Sequence, residues 1–219
     1  MLVRIDDRTG NKDIHCARCG GCCKDITPSV EDLLRLEEYK LEEILDFEKN
    51  DLFFRNVDSK CIFLRDNLCS IYDKRPDICK LYPFKVEPSN VAENEIIFKL
   101  TCRSNIRNGG EYPLCNGGLI GKAYFVEGGD NLSVAESYAK NLLREFASNS
   151  LVKVDNKLTI AKDLDEIKSY KLDYLNKIFK IYRNMSMGDA MEILKRKYGK
   201  ELLNSLQDWF QIGYIFEFG

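Results

Sequence analysis

The stretch Cys16-Ala-Arg-Cys19-Gly-Gly-Cys22-Cys23 decides how the first half of the chain is organised. It contains two overlapping Cys-x-x-Cys turns, and such a turn places two sulfur atoms on one side of a tight loop, as a tetrahedral zinc or iron centre requires. The two glycines suit these turns, because glycine accepts positive φ and lets backbone N–H groups turn toward a thiolate. Three of these sulfurs are therefore predicted to surround one metal centre, with the fourth ligand supplied from elsewhere.

Five more thiols follow this stretch, and none lies beyond residue 115: they are Cys61, Cys69, Cys79, Cys102 and Cys115. All nine cysteines are candidate metal ligands, and the main centre is predicted to contain Cys16, Cys19, Cys22 and one distal thiol. Adjacent side chains diverge on an extended or helical backbone, so Cys22 and Cys23 are not expected to share one ion. One of the two is expected to join the main centre, and the other to serve a second centre, a redox step or packing.

Disulfide bonds are the main alternative use for these cysteines, and two features speak against them. Their number, nine, is odd, and the first residues, MLVRIDDR, contain no apolar signal core. A cytoplasmic location is therefore expected, in which thiols stay reduced and metal binding is favoured over bridges.

The single histidine, His15, precedes the first cysteine. It is either a ligand in a Cys/His zinc site or, as is commoner for a residue adjacent to a ligand, an outer-shell or surface group. With one histidine the chain offers no Ser/His/Asp set, so the sequence leaves open whether this protein is an enzyme.

Charge and hydropathy exclude two classes of partner. The chain has 219 residues, with 33 Lys and Arg against 35 Asp and Glu, so it lacks the basic bias of a nucleic-acid-binding protein. No apolar run is long enough for a transmembrane helix, so no membrane partner is expected. A redox or protein partner remains open, and the sequence does not define the oligomeric state.

Local signals predict short elements around the distal thiols. Ser29 followed by Asp32 is a helix-capping pattern, and a second short helix is predicted for residues 40–49. Two apolar runs flanking an Asp-Asn turn predict a β-hairpin over 61–72, with Cys61 and Cys69 on its two strands.

The next thiols are predicted on a helix and a strand. Pro76 and Pro83 bound a short helix that carries Cys79 in its first turn, where the positive helix end favours a thiolate. Residues 95–102 are predicted as a strand that ends at Cys102. Arg75 is interpreted in one of two ways: its positive charge offsets the negative charge of a cluster, or it is a solvated or salt-bridged surface residue. Three aromatic residues, Tyr72, Tyr82 and Phe84, are interpreted either as an apolar jacket around the site or, equally well, as core packing.

These elements predict an α+β, helix-rich fold. Residues 1–130 form the metal-organised part with a small antiparallel sheet, and residues 131–219 form a helical part packed on it. Helices are predicted over 133–146, 162–184 and 200–210, with one more that begins at a Ser186 cap paired with Asp189.

The cysteine pattern resembles the CxxCxxCC cysteine-cluster family, a YkgJ-type zinc- or iron-chelating domain. The resemblance rests on Cys16-x2-Cys19-x2-Cys22-Cys23, on Cys61-x-Phe-Leu and on Cys69-Ser-Ile-Tyr-x2-Arg75-Pro76-x2-Cys79-x2-Tyr82-Pro83-Phe84. It extends over about residues 15–121, through Cys115-x-Gly117, where Asn116 replaces the usual proline. It implies metal chelation and little about a reaction.

Three functions follow from these patterns. The first is an iron–sulfur protein, with a 4Fe-4S cluster, in redox chemistry or electron transfer; the number of thiols favours it. The second is a zinc protein whose metal is structural or holds an interaction surface. The third comes from the resemblance, because one branch of the family is similar to flagellin lysine N-methylase, which implies S-adenosylmethionine-dependent protein methylation. The sequence lacks a glycine-rich methyl-donor fingerprint, and its spacing differs from the Cys-x3-Cys-x2-Cys motif of radical S-adenosylmethionine enzymes.

Overall fold

The computed structural model describes residues 2–10, 12–15, 20, 22–48, 51–92, 95–102, 124–152, 175 and 179–208. Strands are short and lie before residue 128, whereas the longer helices follow residue 130. The strands are β1 Leu2–Asp7, β2 Lys12–His15, β3 Leu45–Glu48, β4 Asp51–Phe54, β5 Asn56–Val57, β6 Lys60–Cys61, β7 Leu64–Arg65, β8 Leu68–Cys69, β9 Phe84–Val91, β10 Glu95–Cys102 and β11 Tyr124–Glu127. The helices are α1 Val30–Leu34, α2 Leu41–Ile44, α3 Asp77–Leu81, α4 Asn131–Val152 and α5 Met187–Tyr198. The predicted α+β, helix-rich class is confirmed.

The largest sheet has three strands in the order β1-β10-β9. Strand β9 runs antiparallel to the central strand β10, as a hairpin does, but β1 pairs with β10 in parallel. The sequence predicted a small antiparallel sheet, and the parallel pairing of β1 has a physical cause. Val3 and Ile5 pack against the main core, so the start of the chain gains apolar burial by joining the sheet.

The main core lies between this sheet and the helices α4 and α5. Its fully buried members include Ile96, Phe98, Leu100, Leu143, Leu194, Leu202 and Leu206. This core joins residues from both sides of position 130. The division into 1–130 and 131–219 stays a prediction, because the packing of one core does not decide where a domain ends.

A second core, here called the cysteine-side core, underlies the region of the thiols. Its buried members are Leu33, Leu36, Ile44, Leu45, Leu52, Phe54, Cys61, Phe63, Ile71 and Leu175. Short hairpins enclose it, β3 with β4, β5 with β6, and β7 with β8. Helix α1 contributes Leu33 to this core and helix α2 contributes Ile44.

The predicted Asp-Asn hairpin is confirmed, but one thiol lies outside it. Asp66 and Asn67 both have positive φ, 49° and 61°, as a two-residue turn between paired strands requires. Cys69 lies on β8 of this hairpin. Cys61 was predicted on the facing strand but lies on β6, which pairs with β5. The β7–β8 pairing contains only Leu64 with Cys69 and Arg65 with Leu68, so the hairpin ends before it reaches Cys61.

Helix α1 begins as predicted, with a complete capping box between Ser29 and Asp32. The helix predicted over 40–49 was wrong beyond Ile44, because Leu45 pairs with Phe54 in the β3–β4 hairpin and is buried.

Helix α3 carries Cys79 in its first turn, as predicted, and is followed by a cis Tyr82–Pro83 peptide. Helix α4 is longer than predicted, and the Ser186–Asp189 cap of α5 is confirmed.

Most of the helix predicted over 162–184 lies outside the described residues. Among the helices that the structure describes, none has the length and apolar character needed to span a membrane.

Candidate metal centre

Five of the nine predicted ligands have described side chains, and none of the five is in a disulfide bond: Cys22, Cys23, Cys61, Cys69 and Cys79. Cys102 ends strand β10 as predicted. His15 ends strand β2, opposite Tyr124 of β11. Cys16, Cys19 and Cys115 lie outside the described residues, so the structure does not test their predicted roles.

Gly20 fits the cysteine loop against the β7–β8 hairpin. Its φ is 71°, which glycine adopts without strain, and its carbonyl accepts the Cys23 N–H at 3.0 Å. A Cβ at this position would lie 2.7 Å from Leu64 Cδ2. The predicted role of the glycines in shaping the loop is therefore supported here, with a close packing contact that the sequence did not reveal.

Cys61 is the most enclosed link between the loop and the hairpins. Its side chain is 8% exposed and belongs to the cysteine-side core, against which Cys23 and Cys69 also pack. Its backbone N–H donates to the Cys23 carbonyl at 2.7 Å. Loop and strand are thus fixed to each other at the two positions that carry thiols.

Two of the thiols accept hydrogen bonds from the backbone two residues further on. The Phe63 N–H donates to the Cys61 sulfur, the Ile71 N–H donates to the Cys69 sulfur, and each bond lowers the pKa of its thiol. Backbone N–H groups directed at sulfur are the outer-shell contacts that orient and stabilise metal-bound thiolates. Cys61 and Cys69 therefore have the backbone donors that stabilise a thiolate.

Burial opposes ionisation of the same thiols. It raises the pKa of Cys61 to about 11, and it raises the pKa of Cys69 and, more strongly, that of Cys79. The charge of the neighbouring thiolates adds to this effect: Cys23 and Cys69 raise the pKa of Cys61, and all three raise the pKa of Cys79. Four such thiolates can coexist in one buried region only if a cation neutralises them, and a metal centre supplies that charge.

Cys23 is the exception, with a pKa lowered to about 7. The hydrogen bond with the Cys22 side chain is the largest cause, and Arg75 and Lys60 contribute further positive charge against the effect of burial. The two adjacent thiols therefore contact each other, although divergent side chains were predicted. The backbone at Cys22 is a turn, so the rule for extended and helical chains does not apply.

Arg75 lies where the sequence placed a charge-balancing residue. Its guanidinium stacks on the Tyr72 ring, 3.9 Å from the centroid, and lowers the pKa of both Cys23 and Cys69. Its Nε is buried and has no hydrogen-bond partner among the described residues. Lys60 also lowers the pKa of Cys23. It was not predicted as a site residue, although it lies next to Cys61 in the sequence.

The predicted aromatic jacket is only partly correct. Tyr72 is 40% exposed and covers Arg75, whereas Phe84 lies in the main core, opposite Cys102 of β10. Phe54 and Phe63 take its place, packed edge to face at 5.0 Å in the cysteine-side core. Both residues lie in short hydrophobic runs of the sequence, and these runs were the feature that could have identified them.

A buried ionic network holds the start of the Cys79 helix. Asp32 and Asp77 are 0% and 3% exposed, and Arg35 pairs with both, contacting Asp77 Oδ1 at 3.1 Å. The Asp77 N–H donates to Asp32 Oδ1 at 3.1 Å. On the other side, Ser137 of α4 donates to Asp77 Oδ2 at 3.4 Å. Three elements thereby fix the turn that carries the thiol.

Within the described ranges, no group of three or more His, Cys, Asp or Glu side chains is positioned to hold a metal ion. Three candidate ligands lie outside those ranges, so the nine-residue ligand set stays a prediction. The described thiols nonetheless fit a metal centre by their chemistry, because they are outside disulfide bonds and at least partly buried, and because Cys61 and Cys69 accept backbone N–H bonds.

Comparison with known proteins agrees with the sequence resemblance. Residues 15–103 match the CxxCxxCC family, described as a "Putative zinc- or iron-chelating domain". The chain is also 35% identical, over 100 residues, to the uncharacterized protein MJ0661 of Methanocaldococcus jannaschii. That alignment includes 40% of this chain and 54% of the relative, so the chain spans about half the length of the protein that it matches. No solved structure matches the chain.

Proposed function

We propose that the CxxCxxCC domain of this chain binds an iron–sulfur cluster of the 4Fe-4S type and uses it to transfer electrons. The observation that carries the proposal is the meeting of three thiols from three separate elements at one apolar core. Cys23 comes from the loop, Cys61 from β6 and Cys69 from β8, and the charge of all three raises the pKa of Cys79 on α3. No two of them form a Cys-x-x-Cys pair, the spacing from which structural zinc sites are usually built.

The surroundings of the sulfurs support this choice of metal. Cluster potentials depend on N–H bonds to sulfur, on burial and on nearby charge, and all three occur here. Phe63 and Ile71 supply the N–H groups, and Arg75 and Lys60 supply positive charge. A cluster held by four thiolates carries net negative charge in both oxidation states, so these cations stabilise the reduced form in particular.

The proposed function needs no chemistry on a bound substrate. The thiolates would hold the cluster in a region shielded from water, and the bound cluster would supply one-electron transfer between a reduced donor and an oxidised acceptor.

Reduction of the anaerobically purified protein with dithionite tests this function. The expected result is reversible bleaching of a brown chromophore, together with the paramagnetic signal of a cluster reduced by one electron. A colourless protein that contains zinc and shows no such signal would contradict the proposal. A titration with S-adenosylmethionine is a useful parallel measurement, because electron transfer predicts no binding and a methyltransferase requires it.

A further inference from the structure

We propose that strand β1 is an interface with a second copy of this chain, in which two β1 strands pair antiparallel about a two-fold axis at Ile5. The inference concerns the outer edge of the sheet β1-β10-β9 and does not depend on the proposed function of the metal centre. Pairing across this edge would join the sheets of two chains into one continuous sheet, with the same surface used by both copies.

The two edges of this sheet differ in their protection against further pairing. Strand β9 contains Pro88, and its register with β10 shifts between Ile97 and Phe98. A proline and a bulge are devices by which an edge strand avoids pairing with another strand. Strand β1 has neither, and its register with β10 is unbroken from Leu2 to Asp7. Among the strands that the structure describes, none pairs with the outer side of β1.

The hydrogen bonds to β10 define which backbone groups of β1 point outward. The Arg8 N–H donates to the Leu100 carbonyl at 2.9 Å, and Asp7 is the register partner of Leu100. Successive residues of a strand direct their N–H and C=O groups to opposite sides, so the even-numbered residues of β1 bond to β10. The N–H and C=O groups of Val3, Ile5 and Asp7 therefore point to the outer edge.

The charges along β1 select one register for the pairing of two such edges. A register centred on Arg4 sets two guanidinium groups opposite each other, and a register centred on Asp6 does the same with two carboxylates. The register centred on Ile5 pairs Val3 with Asp7 and Ile5 with its own copy, so it uses every outward-pointing residue. It also sets Arg4 opposite Asp6 at two symmetry-related positions. Opposite charges that face each other across strands stabilise the pair, whereas like charges destabilise it.

The side chains on the face away from the main core are available for these contacts. Arg4 and Asp6 are 59% and 33% exposed, and each pairs only with an exposed partner in its own chain, Glu95 at 3.0 Å and Arg8 at 2.8 Å. Exposed ion pairs of this kind contribute little, so sharing them with a second copy costs little. Leu2 is 69% exposed, and in the Ile5-centred register the aliphatic part of Arg8 of the second copy covers it.

Charge reversal on β1 tests both the interface and its register. Arg4→Asp sets carboxylates opposite each other at both symmetry-related contacts, and Asp6→Arg sets guanidinium groups there. The double variant Arg4→Asp/Asp6→Arg restores opposite charges in exchanged positions. Arg183→Asp is the matched control, because Arg183 is 57% exposed and pairs with exposed Glu37 but does not lie on β1. Sedimentation equilibrium of the full chain measures the Kd of the dimer, and circular dichroism compares the helix content of the variants.

We expect a wild-type dimer whose population rises with protein concentration. Each single reversal on β1 should raise its Kd by about tenfold or more, because attraction becomes repulsion at both contacts. The double variant should return the Kd close to the wild-type value, and Arg183→Asp should leave it unchanged.

A wild-type protein that stays monomeric up to about 1 mM would overturn the proposal. A dimer that neither single reversal weakens would do the same, because its interface would lie elsewhere. Weakening by both single reversals that the double variant does not reverse would overturn the Ile5-centred register, and the proposal with it.

Amide hydrogen exchange followed by NMR tests the backbone pairing without any substitution. The Val3 and Ile5 N–H groups point outward, so their protection should be low in dilute solution and rise as the dimer forms. The Arg4 and Asp6 N–H groups bond to β10 and should be protected at both concentrations. Protection of Val3 and Ile5 that does not change with concentration would overturn the proposal.

Discussion

Gly20 is the residue at which the cysteine loop contacts the β7–β8 hairpin. Its positive φ and its approach to Leu64 both exclude a side chain. Cys23 lies three positions further on, and its N–H donates to the Gly20 carbonyl. The position of the Cys23 thiol therefore depends on the packing of Gly20 against Leu64. A residue with no chemistry of its own therefore contributes to the geometry of the candidate metal centre.

We predict that Gly20→Ala lowers the free energy of unfolding by about 2–4 kcal/mol, the sum of a left-handed backbone and an overpacked contact. Gly10→Ala is the matched control, since Gly10 has a φ of 73° but no atom within 4 Å of the position that a Cβ would occupy. It should cost only the backbone part, about 1–2 kcal/mol. Urea denaturation of both variants measures the difference. Equal costs would contradict the packing of Gly20 on Leu64.

Cys23 is predicted to be the most readily ionised thiol with a described environment in the metal-free protein. Its pKa of about 7 means that its thiolate forms as the pH rises through 7, whereas Cys61 ionises near pH 11. Only the thiolate reacts with iodoacetamide, so the alkylation rate of Cys23 should rise around pH 7. Mass spectrometry of the alkylated peptides follows each residue separately.

The hydrogen bond from Cys22 supplies the control for this prediction. Cys22→Ala removes the donor and should move the Cys23 alkylation profile to higher pH, because the largest cause of the lowered pKa is lost. Cys22→Ser retains an O–H donor and should move it less. Identical profiles in the wild-type protein and the Ala variant would show that another interaction stabilises the Cys23 thiolate.

At the scale of elements, two helices begin with the same motif in different environments. Ser29 and Asp32 form a capping box at α1, and Ser186 and Asp189 form one at α5. Asp32 is fully buried and also contacts Arg35 and the Asp77 N–H, whereas Asp189 is exposed. The Ser29–Asp32 box therefore stabilises the start of α3, which carries Cys79, as well as the start of α1. The Ser186–Asp189 box stabilises only the start of α5.

We predict that Asp32→Ala costs about 3–5 kcal/mol, because it leaves a partly buried guanidinium without one of its carboxylate partners and a buried N–H without an acceptor. Asp189→Ala, the matched change in the exposed box, should cost less than about 1 kcal/mol. Thermal or urea unfolding of the two variants measures both costs. Similar costs would contradict a structural role for the buried network.

Elements set by neighbouring residues could be predicted from the sequence. The two capping boxes, the Asp-Asn turn and the Cys79 helix all follow from side chains within four positions of one another. Each signal has a local physical cause, either a hydrogen bond to the next turn or a backbone angle that few residues adopt.

Features that depend on distant residues could not be predicted in the same way. The parallel pairing of β1 with β10 joins segments about ninety positions apart, and no local pattern encodes it. Cys61 was assigned to the wrong hairpin for another reason, because strands of two residues are too short for the alternation pattern to define their partner. The packing of Cys23 and Cys69 on the core around Cys61 joins distant residues and is a tertiary property.

At the scale of the molecule, helix α4 connects the cysteine region to the main core. Its inner face packs in the main core, while Ser137 contacts Asp77 and Glu145 accepts the Val30 N–H. Asn141 accepts the Tyr182 hydroxyl at 3.2 Å. The start of the Cys79 helix and the start of α1 are therefore braced by the same helix, which links the metal region to the stability of the main core.

The central claim is that this arrangement holds an iron–sulfur cluster. The most direct measurement is the content of iron, zinc and acid-labile sulfide in the anaerobically purified protein. The proposed function predicts iron and sulfide in equal amounts, about four of each per cluster, with zinc well below one equivalent per chain. Stoichiometric zinc without sulfide would contradict it, and the cysteine cluster would then be a zinc site that stabilises the fold.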